Sequence, residues 1–119
     1  MSKGDLVRLR HMLDSAREAV ELIRSKSRSD LDNDRVLSLA LVRLLEVVGE
    51  AANRVTTTTR KQNANIPWSQ IVGLRNRLIH GYDTINLDIL WKILTDDLPV
   101  LIDRLERAVA HESSVLAEE

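Results

Sequence analysis

The spacing of the aliphatic residues constrains this fold more than any other feature of the chain. Leu6, Leu9, Leu13, Ala16, Val20 and Ile23 recur at alternating steps of three and four residues. At ~100° per residue, that spacing keeps all six on one face of an α-helix, whereas a strand would scatter them over both faces. Leu37, Leu41, Leu44, Val48, Ala51 and Val55 form a second stripe of the same kind. Val42, Leu45 and Ala52 widen it past what one neighbour covers. This helix is therefore expected at the centre of a bundle, or at a dimer interface as well. With no Phe, one Tyr and two Trp, the core must be built from aliphatic ridges packed into grooves.

Four helices are predicted. The first covers residues 5–26, and Ser25 to Asp30 read as a polar loop with Ser29 or Asp30 as the next N-cap. The second covers 31–57 and ends in four threonines at 56–59, whose β-branching lowers helix propensity. Arg60 to Asn65 is a polar connection. The third starts at Pro67 and buries Ile71, Leu74 and Leu78, with Gly81 as its C-cap glycine and His80 in its last turn. The fourth follows Asn86, a candidate cap, and carries Leu87, Leu90, Leu94, Leu98, Leu101 and Leu105. Pro99 removes a hydrogen bond from it and should kink it near Thr95 to Leu98, or break it into a fifth segment. From about residue 111 the chain reads as a frayed polar tail. The expected fold is all-α, an antiparallel up-and-down bundle of four main helices in one domain over residues 1–119.

The absence of cysteine excludes disulfides and thiolate metal sites. No apolar run approaches the ~18 residues of a membrane span, and no signal-peptide core is visible, so a cytoplasmic location is expected. A net charge of −1 means that nucleic acid would have to be held by a local basic patch.

One segment concentrates the chemistry: Arg75-Asn76-Arg77-Leu78-Ile79-His80-Gly81-Tyr82. Histidine moves protons near neutral pH, and arginine grips phosphate without releasing a proton. Those are the two roles that phosphodiester cleavage without a metal requires. Taken singly, His80 is equally a helix-end residue favoured by the helix dipole, and Arg75 a solvated cation. Asn76 and His80, four apart, would share a helix face, but Arg75 and His80 would sit about 140° apart. A distorted helix end would bring them together. So would symmetric copies of the segment from two chains, which points a catalytic reading towards a dimer. Glu46, Glu50 and Asn53 form a polar stripe on the second helix that lines a cleft or simply faces water. Arg54, Arg60, Lys61 and Arg77 are candidates for a basic rim that contacts RNA. His11, His111 and the Asp96-Asp97 pair read as solvated, and no metal site or cofactor is expected.

The stretch from Ile66-Pro67-Trp68 through Arg75…His80-Gly81-Tyr82 to Leu87-Asp88-Ile89-Leu90-Trp91 closely resembles the HepT-like members of the HEPN superfamily. Their mark is Arg, a polar residue, three more residues, then His-x-Tyr. Glu46-Val47-Val48-Gly49-Glu50-Ala51-Ala52 is similar to the family's second helix, and Asp96-Asp97-Leu98-Pro99 to its fourth, so the likeness runs over roughly residues 5–108. It implies a metal-independent ribonuclease toxin, dimeric, with its cleft between the two copies. It also implies a nucleotidyltransferase antitoxin as partner, which attaches AMP to the tyrosine corresponding to Tyr82. In this reading His80 is general base or acid, Arg75 holds the scissile phosphate, and Asn76 orients His80 or binds the phosphate. The substrate would be RNA, transfer or messenger. Tyr82 is otherwise an ordinary loop tyrosine or a base-stacking platform. The competing expectation is a non-catalytic helical module that docks a nucleotidyltransferase or presents its substrate.

Overall fold

A computed structural model describes residues 2–118. Helix accounts for 79% of the chain and strand for 3%, so the all-helical class is the observed one. Three long helices form the frame: α1 (Lys3–Leu22), α3 (Arg35–Asn53) and α8 (Leu98–Glu118). Between them lie α2 (Arg28–Asn33), α4 (Thr57–Gln62), α5 (Trp68–Val72), α6 (Leu74–Leu78), a hairpin of β1 (Ile79–His80) and β2 (Thr84–Ile85), and α7 (Leu87–Lys92). A π-helical turn, Ile93–Asp97, joins α7 to α8.

The two aliphatic stripes meet as their spacing requires. Leu9, Met12 and Ala16 of α1 pack with Leu41, Leu45, Val48 and Ala52 of α3 and with Leu98 and Leu105 of α8 in one core. Arg17 pairs with Glu106 at 3.3 Å, and Arg10 donates to Ser113 at 3.2 Å, so α1 and α8 run antiparallel.

Four local expectations are corrected, and the interruption expected before Pro99 is observed as the π-helical turn. The predicted helix over 31–57 breaks at Asp34, whose backbone turns extended while its side chain accepts from the Leu37 amide at 2.9 Å and caps α3. The threonine run ends one helix but begins another, because Thr56 precedes α4 as its N-cap. Its partner is Asp5, 1% exposed in the first turn of α1, which accepts from the Thr56 and Thr59 hydroxyls at 2.6 Å each and from the Thr56 amide at 3.2 Å. Burial pushes the Asp5 carboxyl up, but the three Thr56 and Thr59 hydrogen bonds and the Arg8 charge outweigh it and hold its pKa below the ordinary carboxylate value.

The predicted third helix is two short ones hinged at Gly73, and it stops at Leu78. Gly81 is therefore the turn of a hairpin, at φ +74°, and not a helix cap. Pro99 produces a widened turn before it: the Leu98 amide reaches back to the Ile93 carbonyl. That widening accommodates a residue with no N–H and a ring that crowds the preceding turn. Finally, the expected frayed tail is helical to Glu118, and Glu112, 1% exposed, accepts from Asn63 at 3.3 Å. Among the described residues, no helix is long and apolar enough to cross a membrane.

Candidate active site

Gly49 sets the distance between α3 and the α5–α6 pair. A Cβ at this position would lie 2.9 Å from the Ile71 carbonyl oxygen, closer than real contacts allow. Without one, the end of α5 rests directly on α3, and a groove of about 250 Å³ opens along their junction. Glu46, Glu50 and Asn53 line it from α3, and Arg75 and Asn76 line it from α6. Four residues of the predicted polar stripe and motif thus share one groove with Arg75.

Arg75 and Asn76 are exposed, and among the described residues neither side chain makes an ion pair or a hydrogen bond. Their donors face solvent and are available to an anion. The two carboxylates are partly balanced by Arg43, at 3.6 Å from Glu46 and 3.5 Å from Glu50. An arginine fork free of carboxylate partners, beside an amide, is suited to gripping a phosphate.

His80 and Tyr82 do not line this groove. The chain turns extended at Ile79, and the hairpin pairs Ile79 with Ile85 and His80 with Thr84. Ile79 and Ile85 pack on the core, while His80 points outward. The expectation that Asn76 and His80 share a helix face is thereby corrected. The contact His80 does make is to Asn86, whose side-chain nitrogen lies 3.4 Å from its Nε2. Asn86 Oδ1 accepts from the Ile89 amide at 3.0 Å and caps α7, which turns the amide nitrogen of Asn86 towards the imidazole. Sequence alone identified this cap but not the histidine behind it. The backbone N–H of Asn86 donates to the Leu78 carbonyl at 2.8 Å, closing the hairpin. Tyr82 stands at the turn, 98% exposed.

The four cations considered for a basic rim are dispersed. Arg60 is committed to the fold: its Nε donates to the Val55 carbonyl at 3.0 Å and its Nη2 to the Ala52 carbonyl at 2.9 Å, and its guanidinium lies 5.7 Å over the Trp68 ring. It closes the C-terminus of α3 and does not face a ligand. Arg77 lies 3.9 Å from Asp97 on another face. Lys61 is exposed on α4, and Arg54 is exposed at the end of α3 towards α1.

Comparison with known proteins bears on what such a groove does. The family model described as Ribonuclease HepT-like matches residues 12–108. A Methanocaldococcus jannaschii protein named "Putative RNase MJ1380" is 36% identical over 107 residues, covering 89% of this chain and 98% of that one. "Putative RNase TTE0752" of Caldanaerobacter subterraneus subsp. tengcongensis is 32% identical, over 87% of this chain and 93% of its own. "Probable ribonuclease HepT" of Thermococcus cleftensis is 31% identical, over 80% of this chain and 90% of its own. No solved structure matched the chain.

Proposed function

The chain belongs to the ribonuclease HepT-like family, and from that premise we propose that it is a metal-independent endoribonuclease toxin acting through Arg75, Asn76 and His80. The class of activity is ribonuclease and the substrate is RNA. The observation that carries the finer reading is local. An arginine and an amide, unpaired among the described residues, line an open groove, and four residues after the amide the chain presents an outward-facing histidine on a hairpin.

In the proposed reaction His80 takes the proton from the ribose 2′-oxygen, or gives one to the departing 5′-oxygen. The 2′-oxygen attacks phosphorus, the bond to the 5′-oxygen breaks, and a 2′,3′-cyclic phosphate remains. Arg75 holds the phosphate oxygens and stabilises the charge that builds on them, with Asn76 as second donor or as the residue that orients the imidazole. Because His80 lies outside its own chain's Arg75 groove, the working unit is proposed to be a homodimer in which the partner subunit completes the site.

Silencing is assigned to Tyr82. Its oxygen attacks the α-phosphorus of ATP in a reaction run by a nucleotidyltransferase antitoxin, pyrophosphate leaves, and AMP stays on the ring. Full exposure at the hairpin turn gives a modifying enzyme access. The added bulk and negative charge, two residues from His80, would repel an RNA backbone.

Unmodified protein, freed of metals with EDTA and mixed with total or transfer RNA, tests the reading. Cleavage to cyclic phosphate ends is expected, abolished in His80→Ala and absent on an all-deoxy strand. Equal cleavage by His80→Ala would remove His80 from the reaction, and no cleavage by unmodified wild type would move the assignment to the non-catalytic docking module.

A further inference from the structure

A second groove, of about 410 Å³, runs between α1 and α3. Arg8 and His11 line it from α1, and Arg43, Glu50 and Arg54 from α3. Glu50 also lines the groove of Arg75, so the two meet along α3. Three arginines and a histidine thus face a single carboxylate in it. Among the described residues Arg8 and Arg54 have no ion pair and no side-chain hydrogen bond. The reason differs for each. Asp5, the carboxylate on which the Arg8 charge acts, has its oxygens already held by Thr56 and Thr59. Arg54 lies just past the end of α3, where the chain turns away.

The spacing suits a polyanion. Arg43 and Arg54 are eleven residues apart, which at 1.5 Å and 100° per residue puts them about 16 Å apart along α3 and on nearly the same face. Arg43, beside Glu46 and Glu50, lowers the negative charge where the grooves join. A second copy of this chain laid on the same face across a two-fold axis would set these arginines against their own images, which like charges oppose.

We propose that the α1–α3 groove is a second phosphate-binding track, which holds the single-stranded RNA that runs on from the Arg75 groove. The polyanion's identity rests on the ribonuclease reading above; the position of the track rests on Arg8, Arg43 and Arg54. Its role is to grip backbone beyond the scissile bond and set which length of strand the enzyme holds.

The test is the salt dependence of binding to a 2′-O-methylated oligoribonucleotide, which has no free 2′-hydroxyl to attack. Each lost phosphate contact lowers the slope of log K against log salt by about 0.7 for single strands. The Arg8→Gln/Arg54→Gln double variant is therefore expected to lose about 1.4 from that slope. Arg107→Gln, which removes one arginine charge from the exposed side of α8, is expected to leave it in place. A slope unchanged in the double variant, or reduced as much by Arg107→Gln, overturns the track, as does wild-type protein that does not bind the RNA. Photocrosslinking of RNA carrying 4-thiouridine, mapped on wild-type protein, gives an answer independent of how the variants fold. Crosslinks are expected within residues 4–11, and their confinement to α6 and the hairpin would also overturn it. Failure of the nuclease reading is distinct, since His80→Ala that still cleaves would leave the salt slope where it was.

Discussion

Arg75 is exposed and, among the described residues, unpaired, so its substitution separates a proposed role in the chemistry from folding. Lysine keeps the charge but loses the planar fork that meets two phosphate oxygens together. Arg75→Lys is expected to lower kcat by roughly 10-fold or more, and Arg75→Ala by about 100- to 1,000-fold, the range for losing one transition-state donor. Both should leave the melting temperature near that of wild type, as surface changes do. An unchanged kcat in Arg75→Ala would remove Arg75 from the reaction. Asp5 is the converse, a buried carboxylate that does structural work far from the groove. Its folded pKa is depressed, so its stabilisation is complete above the unfolded value of about 3.8 and is lost as pH falls through the lower folded value. Wild type is therefore expected to lose stability more steeply than Asp5→Asn below about pH 4. At neutral pH Asp5→Asn should be less stable by about 2–3 kcal/mol, measured by urea unfolding, because both threonine hydroxyls lose a charged acceptor.

At the scale of elements, the close approach at Gly49 is what gives the Arg75 groove its shape. The atom that a new Cβ would strike is the Ile71 backbone oxygen, 2.9 Å away, which cannot swing aside as a side chain could. Gly49→Ala is expected to cost about 1–3 kcal/mol and to push α5–α6 off α3, so stability and cleavage fall together. Retention of full stability, seen in a denaturant melt, would show that α5 yields more readily than its packing implies. The short elements also show how far local sequence reaches. Asn86 is readable as a cap because its partner, the Ile89 amide, is three residues away. The end of the helix at Leu78 is not, because the Ile79–Ile85 pair that replaces it closes across a turn and is held by core packing. Gly81 signals a left-handed residue equally well in a helix cap or a hairpin. The threonine run reads as a helix terminator by propensity. Its role as both cap and clamp depends on Asp5, 51 and 54 residues earlier.

For the whole molecule, the arrangement of motif residues bears on the working assembly. Arg75 and Asn76 open onto one groove, while His80 leaves on a hairpin that faces outward. If two copies share one site, mixing Arg75→Ala with His80→Ala chains should restore cleavage that neither variant shows alone. No recovery after subunit exchange, with mixed dimers verified by mass, would confine the reaction to single chains. What the sequence determined by itself was whatever depends on neighbours within a helical turn or two. That includes the helical class, the faces that α1 and α3 bury, the cap before α7, and the family resemblance carried by the segment proposed to hold the chemistry. Tertiary structure alone decided where helices stop, which polar residues are buried, and which motif residues meet. Those outcomes rest on contacts between residues distant in the chain. The Thr59 hydroxyl needs Asp5, Gly49 has meaning only against the Ile71 carbonyl, and Glu112 is buried where Asn63, 49 residues earlier, donates to it.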